Sequence, residues 1–105
     1  MYFMNTDDLI QQVEGWAYNR GLHDADSSKQ FLKVVEEVGE VARALARGDR
    51  EGLEDGIGDV MVTLIVLAMQ NKMSVQVCLN RAYDEIKDRT GEMVDGVYVK
   101  TSDLK

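Results

Sequence analysis

Apolar positions recur at helical spacing along most of the chain, which contains no proline. In the first helix an apolar face follows Thr6, which suits an N-cap, and Gly21 ends the helix. A second helix opens at Ser27 or Ser28 and breaks at Gly48, with apolar and charged side chains on opposite faces. The pattern therefore predicts a helical protein.

The third helix is predicted from an Asp49 cap to about Asn71 and is apolar on nearly every side in its second half. A polar stripe interrupts it at Asp59, Thr63 and Gln70. A helix that is apolar all round is normally buried on all sides, which one short subunit can hardly achieve. We therefore expect this helix to lie in the core of an oligomer.

A fourth helix is predicted from a Ser74 cap to about Thr90, and Gly91 stops it. The short tail, residues 92–105, has one segment that suits an extended conformation, residues 96–99. We predict an all-α fold: a four-helix bundle in one domain spanning residues 1–105, completed by assembly into a homodimer or homotetramer.

Net charge and composition exclude several classes of function. The 105 residues carry a formal charge of −7 with a pI near 4.6, which argues against nucleic-acid polymers as partners. The single cysteine, Cys78, and single histidine, His23, exclude a Cys/His zinc site and a Ser-His-Asp triad. The N-terminal residues lack a signal-peptide pattern, and the longest apolar stretch, residues 60–69, is about half a membrane span. We expect a cytoplasmic protein with no membrane partner.

Three carboxylates cluster on the second helix, at Glu36, Glu37 and Glu40. Like charges one turn apart destabilise a helix, so a sequence selected for stability alone would place a cation among them. One interpretation is a solvated face on which these glutamates pair with Lys33 or Arg43. However, Glu37 borders the apolar arc, where a carboxylate is costly unless it is paired or binds a metal.

A second acidic pair, Asp55 and Asp59, repeats the four-residue spacing on the third helix. Carboxylate pairs on neighbouring helices suit a hard divalent cation, Mg²⁺ or alternatively Mn²⁺, facing an anionic ligand. The alternative interpretation of Asp59 is an exposed residue on a narrow solvent stripe. A di-iron site uses a similar layout but needs Glu-x-x-His pairs, for which His23 is misplaced.

The motif Glu-Glu-x-x-Glu, followed by an acidic pair that ends in Asp-Val, resembles the all-α MazG-like nucleoside triphosphate pyrophosphohydrolases, notably the short phage-type branch. The resemblance extends from Trp16 to about Lys100. It implies a hydrolase acting on phosphoanhydride bonds, a nucleotide pyrophosphatase that converts a nucleoside triphosphate and water to the monophosphate and pyrophosphate with Mg²⁺.

The resemblance also implies roles for particular residues. Glu37, Glu40 and Asp59 would be metal ligands, assisted by Asp55, and Glu36 and Glu37 would be catalytic by activating the attacking water. The resemblance further implies phosphate contacts from the fourth helix, and its wheel places Asn80, Tyr83 and Lys87 on one face. The full set of expected substrate-binding residues is Trp16, Lys33, Asn80, Tyr83, Lys87 and Arg89.

One position departs from the family pattern. The second motif is usually Glu-x-x-Asp, and Gly56 stands at the glutamate position. Either Asp55 reaches the same cation from a slightly rotated position, or one ligand is lost and activity is weak or absent. Two alternative functions therefore stay open: a phosphoribosyl-ATP pyrophosphohydrolase-like enzyme, and a non-catalytic helical oligomer that binds nucleotide or protein.

Overall fold

The computed structural model describes residues 3–104, which form four α-helices and a C-terminal β-hairpin. The helices are α1 (Thr6–Asn19), α2 (Ser27–Ala46), α3 (Arg50–Gln70) and α4 (Val75–Ile86), and the strands are β1 (Gly91–Val94) and β2 (Val97–Lys100). Short 3₁₀ helices occupy Leu22–Asp24 and Thr101–Asp103. The predicted domain also includes Met1, Tyr2 and Lys105, which lie outside the described residues.

Each α-helix begins at a polar side chain that accepts a hydrogen bond from a backbone N–H of the first turn. The predicted caps Asp49 and Ser74 are confirmed. The other two helices are capped one residue before the predicted positions, because Asn5 and Asp26 carry the oxygens that reach the N–H groups. Hydrogen bonds from the Ser28 hydroxyl and backbone hold the pKa of Asp26 below its ordinary value.

The two longest helices, α2 and α3, pack against each other as an antiparallel hairpin around the turn at Gly48. Gly56 of α3 is buried where the helices meet, and a Cβ added there would lie 3.0 Å from Val41 Cγ2. The glycine therefore permits a close approach that a larger residue would obstruct.

The polar stripe of α3 faces neighbouring elements rather than solvent. The Gln30 side chain donates to the Thr63 carbonyl at 3.0 Å, and the Gln70 side chain donates to the Leu22 carbonyl at 2.9 Å. Asp59, at the head of this stripe, is half-buried. These contacts join α2 and the first 3₁₀ helix to α3.

The apolar core of residues 3–104 is small for a chain of this length. The radius of gyration is 16.5 Å, whereas a compact domain of 100 residues has about 13 Å. Apolar side chains such as Met61 on α3 and Leu79 on α4 are 49% and 68% exposed. The buried apolar residues are Ile10, Ala17, Val34, Ala44, Ile65, Val66 and Ala68.

The fourth helix is shorter and less buried than its sequence predicts. It ends at Ile86 rather than near Thr90, and none of its residues is buried. Val75, Cys78 and Leu79, predicted for its inner face, line an apolar groove shared with α1 and α3. The predicted inner face of α4 therefore contacts the rest of the chain only along this partly open groove, where its side chains are not fully buried.

The tail contains a β-hairpin, which corrects the all-α expectation to a mostly helical fold. Strands β1 and β2 pair antiparallel with Val94 opposite Val97. Asp95 and Gly96 connect them with φ values of 51° and 82°, as a two-residue type I′ turn requires. The predicted extended segment, residues 96–99, covers most of β2, whereas β1 was not predicted.

Candidate functional site

A polar cavity of about 200 Å³ lies between α2 and α3. Its floor is formed where Gly56 and Ala44 are buried, and its walls carry charged side chains from both helices. The antiparallel pairing brings the second half of α2 opposite the first half of α3. The lining residues are Glu37, Glu40, Arg43, Ala44, Arg47, Asp49, Gly52, Asp55, Gly56 and Asp59.

Four carboxylates that the sequence singled out line this one cavity. Glu37 and Glu40 come from α2, and Asp55 and Asp59 come from α3. Glu36 does not line the cavity and lies exposed on α2 beside Glu37. The structure therefore brings two carboxylates from each side of the α2–α3 turn to one cavity and leaves Glu36 outside it.

The electrostatics of the cavity act most strongly on Glu37. Burial raises the pKa of Glu37 above its ordinary value of 4.5, and the charges of Asp59, Glu36 and Glu40 raise it further. Lys33, one turn earlier on α2, opposes this shift. The cavity thus concentrates negative charge beyond what its own cations neutralise, a condition that favours a bound cation or a proton.

The carboxylates do not converge as they stand. Among residues 3–104 no three acidic, histidine or cysteine side chains are close enough to hold one metal ion. The Glu40 carboxylate instead accepts from the Arg43 guanidinium at 2.9 Å. The donor set nevertheless fits Mg²⁺ or Mn²⁺, because it consists of carboxylate oxygens on two adjoining helices, and Glu40 is exposed enough to change rotamer.

The departure at Gly56 falls where α2 and α3 pack closely. A glutamate there would begin with a Cβ 3.0 Å from the Val41 side chain. Asp55 lines the cavity beside Gly56 and lies one turn before Asp59. Asp55 and Asp59 also border a shallow acidic surface on the other side of α3, together with Glu51 and Glu54.

Arg43 and Arg47 line the cavity but were not predicted as site residues. They lie three and seven residues after Glu40, which is the spacing of one helix face. That spacing is the signal in the sequence, and without knowledge of the partner helix it is equally typical of an ordinary solvated face.

The expected substrate-binding residues lie outside the cavity. Trp16 borders a surface pocket with Val62 of α3, and the Arg20 guanidinium lies 4.6 Å from the centre of its ring. Lys33 is exposed on α2. Asn80 and Tyr83 of α4, with Lys87 and Arg89 just after the helix, are exposed, and none of them lines the cavity in this chain.

Comparison with known proteins identifies similar sequences. Residues 26–94 match the model of the MazG nucleotide pyrophosphohydrolase domain. The match begins at the α2 cap and ends with β1, so it contains the whole cavity. It covers well over half of the chain.

Two curated relatives also match. An uncharacterized 18.2 kDa protein in the rep-hol intergenic region of Haemophilus phage HP1 is 41% identical over 64 residues, which are 60% of this chain and 39% of that protein. A chloroplastic NAD(P)H-quinone oxidoreductase subunit 5 of Nymphaea alba is 35% identical over 52 residues, 50% of this chain and 7% of that one. The chain thus spans about two fifths of the phage protein's length.

No solved structure matches the chain significantly. Within residues 3–104, none of the helices has the length and apolarity needed to cross a bilayer.

Proposed function

Because the chain belongs to the MazG nucleotide pyrophosphohydrolase domain family, we propose that it hydrolyses a nucleoside or deoxynucleoside triphosphate to the monophosphate and pyrophosphate. The observation that carries the proposal is the joining of Glu37, Glu40, Asp55 and Asp59 around one cavity. These are the carboxylates that the family resemblance assigns to metal binding, together with the aspartate that replaces its missing glutamate.

In this proposal Glu40, Asp59 and Glu37 hold the divalent cation that the family typically uses, with Asp55 assisting. When bound, Mg²⁺ neutralises phosphate charge and makes water a stronger acid. Glu40 must first leave Arg43, and an exposed ion pair of this kind costs little to break.

Glu37 is the best candidate for the general base that accepts a proton from the attacking water. Glu37 lines the cavity beside the carboxylates proposed to hold the cation, and its pKa is raised while the cation is absent. Glu36 acts through Glu37, because its charge contributes to that raised pKa. The main contribution of the protein is to position the triphosphate and to neutralise its charge.

We also propose that the working form is a homodimer or homotetramer. The exposed apolar side chains of α3 and α4 and the extended shape of the chain support this. A second copy would cover these faces and would carry Asn80, Tyr83, Lys87 and Arg89 toward a neighbouring cavity. Light scattering of the purified protein should therefore give a mass of two or four chains, and a mass of one chain would contradict the proposal.

The test of the enzymatic proposal is turnover of a panel of canonical and modified nucleoside triphosphates with Mg²⁺. Asp59→Asn should lower kcat/KM more than about 100-fold, beyond the usual cost of losing an outer-shell partner of a metal. Asp8→Asn is the matched control, because Asp8 is exposed on α1 and remote from the cavity. If the wild type turns over no member of the panel, the enzymatic proposal fails.

A non-catalytic nucleotide-binding oligomer is the second candidate, favoured by the pairing of Glu40 with Arg43 and by glycine at position 56. It predicts that Mg²⁺ with nucleotide stabilises the protein without turnover.

A phosphoribosyl-ATP pyrophosphohydrolase would use the same cavity, and competition between phosphoribosyl-ATP and the best triphosphate separates the two substrates.

A further inference from the structure

Two arginines on α2 line the acidic cavity at the end opposite to Glu37. Arg43 and Arg47 lie toward the α2–α3 turn. Glu37 is six and ten residues away from them along α2, or about 9 and 15 Å at 1.5 Å per residue. The cavity is therefore graded in charge along its length, with Glu37 and Asp59 at one end and two guanidinium groups at the other.

The two guanidinium groups differ in what they contact. Arg43 donates to Glu40 at 2.9 Å. Arg47 makes no ion pair and no side-chain hydrogen bond with any residue of the range 3–104. The Asp49 carboxylate, which also lines this end of the cavity, accepts from the Gly52 N–H at 2.9 Å. Arg47 thus borders an acidic cavity, and its guanidinium donors have no partner among the residues that the structure describes.

An aromatic side chain lies in a separate surface pocket beyond the opposite end of the cavity. Val62 follows Asp59 by three residues on α3, about 4.5 Å farther from the turn, and it borders the pocket of Trp16. An aromatic ring suits a nucleobase, and a pair of guanidinium forks suits phosphate oxygens. Trp16 therefore lies on one side of the carboxylates and the arginines lie on the other, an order that suits the base, the reacting phosphate and the terminal phosphates of a nucleotide.

Resting on the function proposed above, we propose that Arg43 and Arg47 bind the pyrophosphate portion of the substrate, so that the leaving phosphates lie toward the α2–α3 turn. Arg47 is free to bind in the structure as it stands. Arg43 becomes free when Glu40 turns to the cation, so cation binding and phosphate binding support each other. The arginines would also hold the pyrophosphate product.

The test is calorimetric binding of inorganic pyrophosphate to the intact protein with Mg²⁺ present. Arg47→Gln and Arg43→Gln should each weaken pyrophosphate binding about tenfold or more, as loss of a charge-assisted contact does. Arg50→Gln is the matched control, because it removes the same charge just beyond the turn from a residue that does not line the cavity. Its affinity should stay within about twofold of wild type.

A purely structural role is the competing explanation, because cations near a helix C-terminus stabilise the helix. Arg47→Lys keeps that charge but loses the fork, so we expect unchanged thermal stability together with weaker pyrophosphate binding. Arg43→Gln should also raise the affinity for Mg²⁺ alone, since Glu40 is released, while it lowers the affinity for pyrophosphate. A structural role would not move these two affinities in opposite directions.

The outcomes separate this inference from the enzymatic proposal. If the wild type hydrolyses no triphosphate but binds pyrophosphate in a manner that depends on Arg47, the enzymatic proposal fails and the inference stands. If wild-type protein turns over substrate while Arg43→Gln and Arg47→Gln bind pyrophosphate as Arg50→Gln does, the inference is wrong. Absence of pyrophosphate binding by the wild type also overturns it.

Discussion

Substitution of Gly56 distinguishes two explanations for the absence of a glutamate at this position. In the first, the close packing of α2 against α3 requires a glycine. In the second, one metal ligand has been lost and packing plays no part. In the structure, a Cβ at this position would lie 3.0 Å from Val41 Cγ2, whereas a Cβ at Gly58 would meet nothing within 4 Å. Both glycines are interior to α3. Alanine at either position gains about 1 kcal/mol of helix propensity, so only the packing term distinguishes the two substitutions.

The expected magnitudes follow from these two terms. Gly58→Ala should stabilise the protein by about 1 kcal/mol, or raise Tm by about 4–8 °C for a domain of this size. Gly56→Ala gains the same propensity but crowds a β-branched side chain with little rotamer freedom, at a cost of about 1–3 kcal/mol. The net change at Gly56 should therefore lie between about 0 and −2 kcal/mol.

The assay is thermal and urea unfolding of both single variants, followed by a double-mutant cycle with Val41→Ala. Val41→Ala removes both methyl groups of the side chain, including the crowded Cγ2, so the cycle should give a coupling of about 1–3 kcal/mol between positions 41 and 56. The reasoning would be refuted if Gly56→Ala raised Tm as much as Gly58→Ala, with coupling below about 0.5 kcal/mol.

The other predictions concern the charges of the cavity. Since the pKa of Glu37 is raised, ionisation of Glu37 costs stability as pH rises through that pKa; Glu37→Gln should melt higher than wild type at neutral pH without metal. The difference should vanish well below the ordinary pKa of 4.5, where both side chains are neutral; a pH-independent difference in Tm would contradict this. Mg²⁺ should raise the Tm of wild type and of Asp8→Asn but hardly that of Asp59→Ala, and an equal response would exclude Asp59 as a ligand. Adding chelator to the wild type should lower its Tm back to the metal-free value and stop turnover, and turnover that persists would contradict the need for a cation.

The sequence was sufficient to predict the helices because their caps and apolar spacing are local. Asp49 and Ser74 were predicted as caps from their own positions, and the errors at α1 and α2 are of one residue. The hairpin was not predicted, although Asp95-Gly96 between two short apolar segments carries the signal of a type I′ turn. Pairing of Gly91 with Lys100 begins directly after Thr90, which gives a physical reason for α4 to end early.

The carboxylates that line the candidate cavity are predictable from the sequence, whereas its arginines are not. Glu37 and Asp59 were found from their positions at the edges of apolar faces, and the structure places them around one cavity. Arg43 and Arg47 were not found, because a helix wheel does not reveal which polar residues the neighbouring helix will enclose. The α4 residues were expected near the cavity from the family resemblance, and one chain alone does not bring them there.

The most direct test of the central claim is product analysis of a single turnover reaction with the best triphosphate and Mg²⁺. The account predicts nucleoside monophosphate and pyrophosphate in equal amounts from wild type and from Asp8→Asn, and almost none from Asp59→Asn. Release of diphosphate with inorganic phosphate, or equal product from Asp59→Asn, would contradict the claim that this cavity is a pyrophosphohydrolase site.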